Sequence, residues 1–393
     1  MAEQQIRTYI ERKTIDIDIF FRYDNTQIRL FNMIKKSPQL DLFSNLTKQK
    51  KEDTKFFDKQ AQHTTQKLNI LQKYLSAYLA ILSVSVKNIN IKIIDAYAGT
   101  GVFASGEDGS PVIICRELEN ILKKVPGVSV KYIGNELQQD NFTKLSKNLI
   151  HFPFTHLSQQ DAFEFLDDYL NSREAKQGCN LFFIDPFNYP FHKEHIDKIF
   201  NNSNGFGTEI LLFVPISHLH RFKDIGNEKI NQFLHSYGIT NVLSESDFAE
   251  QIRGKIRKDY LCAYYLLKDG CNSYCLFFIT KHKKGIDAFL NAGYNTLHNK
   301  EEKEISLLPL PWTTLGKIID ELEKHPMNNI ELYNWALNNN IAPKELRQEI
   351  INNLGSKVFI KYFDGKKHNK VHLYLDYQYD KGNLCKALFS AEE

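Results

Sequence analysis

The chain has 393 residues, more than a single hydrophobic core usually serves, so its length predicts one large domain and at least one smaller appendage. With 42% hydrophobic and 25% charged residues it is neither a disordered nor a fibrous sequence. A formal net charge of only +3 excludes a general polycation and confines any nucleic-acid surface to local patches.

Residues 1–53 show no structural period and lead into the lysine-rich LTKQKKEDTK, which predicts an N-terminal extension or partner-docking arm. This end carries no apolar leader, and the longest mostly apolar run, residues 74–86, is too short for a bilayer. The six cysteines, Cys115, Cys179, Cys262, Cys271, Cys275 and Cys385, include no CxxC pair. The expectation is a reduced, cytoplasmic protein without a cysteine metal site; Cys271 and Cys275 read as two thiols beside a hairpin turn.

From Phe56 to about Val86, Leu68, Leu71, Leu75, Tyr78 and Leu79 recur every three or four residues, the spacing of an amphipathic helix. His63 and Lys67 share one face of it; they either close over a cleft or are simply solvated. Four apolar runs follow, at 89–97, 129–136, 179–186 and 208–215, with a shorter edge strand at 154–161. Helical stretches near 111–124, 138–149, 161–172 and 192–202 separate them. Strands apolar on both faces, alternating with helices, predict an α/β fold with a mostly parallel, Rossmann-like sheet covered on each side, here spanning 54–302.

A polar helical region at 225–257 precedes DYLCAYYLLKD and NSYCLFFITKH, which predict an antiparallel hairpin at the C-terminal end of that sheet. Residues 303–393 change character: helices at 314–324, 329–339 and 343–354 precede two strand-like runs around DGKKHN, the order of a winged-helix-like domain.

The chemistry is expected where strands end. IIDAYAGTG places Asp95 at a strand tip and frees the following loop of bulk with Gly99 and Gly101, where backbone amides can face a ligand. The D-x-x-x-G-x-G spacing differs from the dinucleotide fingerprint, and an acid there suits a cationic, amine-bearing ligand such as S-adenosylmethionine. The bland reading is a turn that needs two permissive residues.

The next strand ends at Glu136, where a carboxylate can accept both ribose hydroxyls or merely open a helix. Asp161 is placed to receive an adenine amino group or to cap a helix, and the two roles are compatible. The fourth tip is FFIDPFNYP, where Asp185 is followed by Phe187, Asn188 and Tyr189, an acid with amide and aromatic neighbours suited to a planar amine-bearing acceptor.

Acids at four successive tips resemble the class I S-adenosylmethionine-dependent methyltransferases, whose sheet also ends in an antiparallel hairpin. Within them, FFDKQAQHTTQKLNILQKYL, IIDAYAGTGVF, GSPVIICRELE, FFIDPFNYP and ITKHKKGIDAFLNAGY resemble the three-Cys-motif partner proteins, over residues 56–300. The resemblance implies that Asp95, Gly99 and Gly101 hold the methionine end of the cofactor, Glu136 the ribose and Asp161 the adenine. Asp185 and Asn188 would position the acceptor, with Phe187 or Tyr189 stacking on it. It also implies a partner that carries a three-cysteine motif resembling radical S-adenosylmethionine proteins. The pattern departs from amino-methyltransferases, because Phe187 and Asn188 stand where a second proline and an aromatic are usual.

Two basic patches complete the inventory: Arg253, Lys255, Arg257 and Lys258, and a wing with Lys361, Lys366, Lys367, His368 and Lys370. With Lys344 and Arg347 on the preceding helix, the wing would grip DNA or RNA phosphates. Glu345, Glu349 and Asp364 dilute the patch, and protein contact is the competing reading. The expected function is methyl transfer on or with nucleic acid; the rivals are a non-catalytic adaptor, with a role in phage defence, and magnesium-dependent hydrolysis by Asp95, Glu136 and Asp185.

Overall fold

The computed structural model describes residues 62–85, 89–186, 191–223, 228–269, 272–297, 313–324, 327, 329–349, 358–367 and 370–379. The expected extension, 1–53, lies outside them. The larger of two compact units spans Phe57–Asn299, and the described residues of the other fall between 313 and 379.

The larger unit opens with α1 (Gln62–Ser85), whose Leu68, Leu71, Leu75, Tyr78 and Leu79 are all buried as their spacing requires. Six strands and seven helices follow through residue 269: β1 (Asn90–Asp95), α2 (Ser110–Lys124), β2 (Ser129–Asn135), α3 (Gln139–Leu149), β3 (Thr155–Ser158), α4 (Ala162–Asn171), β4 (Cys179–Ile184), α5 (Lys193–Asn202), β5 (Thr208–Val214), α6 (Ile216–Phe222), α7 (Glu228–Ser236), α8 (Glu245–Ile256) and β6 (Leu261–Asp269). Last come β7 (Asn272–Thr280) and α9 (Lys283–Leu297).

The strands form one seven-stranded sheet in the order β3-β2-β1-β4-β5-β7-β6. Pairing is parallel from β3 through β5, and only β7 runs against its neighbours. This is the mostly parallel, Rossmann-like sheet with an antiparallel final hairpin that the sequence predicts. β3 is the expected short edge strand, and the second strand of the hairpin inserts between β5 and β6.

Both faces of the central strands are covered. Every residue of β5 is buried, and in β1 so is Lys92, whose ammonium is held by the Glu174 carbonyl at 2.5 Å and by that of Gln177. On one face Phe165, Ile196, Phe200, Phe233 and Phe248 from α4, α5, α7 and α8 pack on Phe182, Leu212 and Phe277. On the other, Tyr74 of α1 meets Phe278 at 4.8 Å between ring centroids, and Phe278 stacks on Phe289 of α9 at 5.1 Å. Each fully buried ring or aliphatic chain of this kind stabilises the fold by roughly 1.5–3 kcal/mol.

The predicted helical region 225–257 is two helices, because Gly238 takes φ +66° and ends the first. The second is restarted by Ser244, whose hydroxyl accepts from the Asp247 amide at 3.1 Å. No helix among the described residues is long and apolar enough to cross a membrane.

The smaller unit contains α10 (Thr314–Lys324), α11 (Asn329–Asn338) and α12 (Pro343–Glu349), packed through Ile318, Leu322, Leu332, Ala336 and Leu346. Two antiparallel strands follow, β8 (Val358–Lys367) and β9 (Lys370–Tyr379), so the ladder runs through Asp364 and Gly365 of the expected turn to the pair Lys367 and Lys370.

Candidate functional site

β1 ends in Asp95, and the loop that follows reverses sharply: Gly99 and Gly101 adopt φ +64° and +79°. Such values cost other residues about 1–2 kcal/mol, which is why glycines stand there. A Cβ at Gly99 would meet nothing within 4 Å, whereas one at Gly101 would lie 3.3 Å from Leu145 of α3. Gly99 thus opens onto space, and Gly101 lets the loop sit against a helix.

Two acids hold this loop from behind. Asp95 is fully buried; its carboxylate accepts from the Tyr132 hydroxyl at 3.0 Å and from the Tyr97 amide at 3.2 Å. Burial raises its pKa from 3.8 to about 7, although both hydrogen bonds oppose the rise. Nearby Asp185 adds to the rise and Lys67 lowers it. The Tyr132 ring lies over Gly134, where a Cβ would be 2.7 Å from the ring. Glu136, directly after β2, accepts from the Gly99 amide at 3.0 Å and from the Gln138 amide at 2.8 Å.

The loop floors a cleft of about 770 Å³ at the carboxyl ends of β1, β4 and β5. Thr64, Lys67 and Leu68 of α1 form one wall; Asp185 and Pro186 follow β4, Phe213 lies near the end of β5 and Pro215 follows it. Ser217, His218 and Arg221 of α6 and the start of β7, Asn272 to Tyr274, form the other wall. The antiparallel course of β7 is what brings the beginning of that strand to the cleft.

Asp185 is the one carboxylate among the described lining residues, and it forms an ion pair with Lys67. The Lys67 side chain is 9% exposed, and its ammonium also lies 4.5 Å from the Phe213 ring centroid. The reading of Lys67 as a solvated helix residue is therefore corrected: α1 turns this face into the cleft, where a carboxylate and a ring await it. The His63 side chain lies outside the described residues.

The structure brings Asp95, Gly99, Gly101, Glu136 and Asp185 to one end of the sheet. Asp95 and Glu136 stand behind the loop rather than among the lining residues. Asp161 caps α4, accepting from the Phe163 amide at 2.8 Å, and its side chain is exposed. Phe187, Asn188 and Tyr189 lie outside the described residues. Lys344 and Arg347 belong to α12 of the smaller unit, the first exposed and the second half-buried.

The predicted basic patch at 253–258 is smaller than its sequence suggests. Arg253 is buried, donating to the Cys262 carbonyl at 3.0 Å and to Glu250 at 3.1 Å, so only Arg257 and Lys258 are exposed. Among the described residues no three His, Cys, Asp or Glu side chains gather as a metal site.

No family model matches the sequence, and no curated protein matches it. Solved structures show likeness at low identity. Protein LPL1258 from Legionella pneumophila is 16% identical, over 60% of this chain and 91% of its own, with a TM-score of 0.38. A class I S-adenosylmethionine-dependent methyltransferase so described from Listeria monocytogenes, lmo1582, is 15% identical over 54% of this chain and 59% of its own, with a TM-score of 0.30. An rRNA methylase so described from Clostridium thermocellum is 11% identical over 52% of this chain and 95% of its own, also with a TM-score of 0.30. The likeness concerns fold alone. The chain's own strand order and register show a mostly parallel, Rossmann-like sheet with an antiparallel final hairpin.

Proposed function

We propose that the cleft binds S-adenosylmethionine and that the protein is methyltransferase-like, acting on or with nucleic acid together with a three-cysteine-motif partner. The observation that carries this reading is the contact between Glu136 and Gly99: an acid from the β2 tip is held against an open glycine floor. Each Glu136 oxygen accepts one backbone amide, and a carboxylate offers about four lone-pair sites. Capacity therefore remains for two ribose hydroxyls.

The cleft volume falls within the roughly 300–1,000 Å³ of small-molecule sites. When bound, the cofactor supplies a methyl group on a positively charged sulfur. Buried Asp95, its pKa raised to about 7, carries only part of a negative charge beneath the loop at neutral pH, and Gly99 leaves room for close backbone approach. Asp161 would reach the adenine end, and Asp185 with Asn188 would position an acceptor amine against Phe187 or Tyr189. Lys344 and Arg347 of the winged-helix-like unit would contact phosphates. A cytoplasmic setting fits the four described cysteines, all of which are unpaired thiols.

A second reading, a non-catalytic adaptor that docks the partner onto nucleic acid, in phage defence among other settings, is favoured by one observation. Asp185, the residue expected to face an acceptor, is already engaged by Lys67.

Calorimetry with S-adenosylmethionine and S-adenosylhomocysteine tests the cofactor reading. Binding is expected in the wild type, weakened at least about tenfold by Glu136→Ala, the loss of about 1.4 kcal/mol or more. Absence of heat from both ligands refutes it. Methyl transfer to nucleic acid in the presence of the partner separates the enzyme from the adaptor.

A further inference from the structure

Lys67 is 118 residues from Asp185 in sequence, yet its ammonium lies within the cleft against that carboxylate. Beneath it, 4.5 Å away, is the centroid of the Phe213 ring. A carboxylate beside an aromatic face is the combination that recognises organic cations: one supplies charge and a hydrogen-bond acceptor, the other the negative face of a ring. Asp185, Phe213 and Lys67 all line the same cleft.

A lysine is suited to temporary occupancy. Its point charge sits on a flexible four-carbon stem, so the ammonium can leave by rotation about side-chain bonds without moving α1. We propose that Asp185 and Phe213 form a seat for an organic cation, that Lys67 is its resident occupant, and that a ligand bearing an ammonium or sulfonium group binds there by displacing it. The displaced lysine makes the seat selective: neutral ligands gain nothing from entering it, and a cation must outcompete a tethered rival. An occupant present about nine-tenths of the time weakens a competitor's apparent affinity about tenfold.

The test uses the full chain with Lys67→Met, which keeps the apolar stem and removes the charge, and propylammonium chloride as the probe. Thermal unfolding at constant ionic strength should show propylammonium stabilising Lys67→Met at concentrations at least about tenfold lower than the wild type requires. Propan-1-ol should do nothing, and adding Asp185→Asn should abolish the effect. This arm reads the seat whether or not S-adenosylmethionine binds, so the two readings fail separately.

Calorimetry then distinguishes the source of the cation. If Lys67→Met tightens S-adenosylmethionine about tenfold and leaves S-adenosylhomocysteine, a zwitterion that keeps the α-ammonium but lacks the sulfonium, unchanged, the seat takes the sulfonium; if both tighten, it takes the α-ammonium they share. If neither changes while propylammonium binds, it takes the acceptor's amine. Should Lys67→Met not fold, Lys67→Gln, which retains a polar tip toward Asp185, must show the same propylammonium gain. No gain in either variant, or an equal response to propan-1-ol, overturns the proposal and leaves the pair a brace between α1 and the β4 tip.

Discussion

Asp95 is a buried acid whose proton is worth measuring. Its pKa rises from 3.8 in the unfolded chain to about 7 in the folded one, chiefly through burial. A raised pKa means that the folded state keeps its proton at pH values where the unfolded state has lost it, so stability must fall as pH rises through that interval. Each pH unit is worth about 1.4 kcal/mol, so the full rise corresponds to ~4 kcal/mol at neutral pH and above. Asp95→Asn removes the titration while keeping one oxygen to accept from Tyr132 or Tyr97; the lost acceptor costs about 1 kcal/mol at every pH. Desolvation pushes half-buried Asp287 up to about 7 as well, so the informative quantity is the difference between wild type and variant. Urea denaturation from pH 4.5 to 8.5 should show the wild type losing stability relative to Asp95→Asn by ~1 kcal/mol per pH unit, levelling off above about pH 8. Parallel profiles across the range would mean that Asp95 ionises as it does in water, and the burial argument would fail.

Gly101→Ala should destabilise by ~1–2 kcal/mol, since it combines a positive φ with a Cβ 3.3 Å from Leu145. Gly254→Ala in α8, where the added Cβ meets nothing within 4 Å, should instead stabilise by about 0.5–1 kcal/mol, and denaturant titration reads both. Arg253→Ala removes a buried guanidinium and the donor to the Cys262 carbonyl and should cost ~1–3 kcal/mol in the same assay, whereas Arg257→Ala, exposed just past the end of α8, should change stability by less than about 0.5 kcal/mol. Tyr74→Phe removes the hydroxyl that donates to fully buried Glu209, leaving that acid the Thr280 hydroxyl at 3.1 Å. A loss of ~1–3 kcal/mol is expected at neutral pH, and Glu209→Gln in the same background should recover part of it.

The positions of the acids were readable because strand ends are marked by apolar runs that stop abruptly at Asp95, Glu136 and Asp185. Asp161 was equally legible, since one carboxylate before an apolar helix serves as a cap whatever else it does. What sequence spacing does not encode is direction. Asp95 could face the ligand or the core, and the deciding partner, Tyr132, lies on the neighbouring strand. Lys67 illustrates the same limit over a longer span: its helix was evident from periodicity, but the pairing with Asp185 depends on how α1 packs across the sheet. Arg253 sits within a run of basic residues that reads as a surface patch, yet its place on the buried side of α8 follows from a helical phase that the charges obscure. The insertion of β7 between β5 and β6 was also hidden, because a hairpin signal specifies a pairing and not a position in the sheet.

Gly134 has a consequence for how this sequence can evolve. The Tyr132 phenol occupies the volume a side chain at 134 would need, and through it touches the acid under the loop. The two residues are therefore bound to drift as a pair: among descendants, any lineage that acquires a larger residue at 134 should also have surrendered the aromatic at 132. Such lineages inherit an altered acidity behind the floor of the cleft, although neither substitution touches its wall.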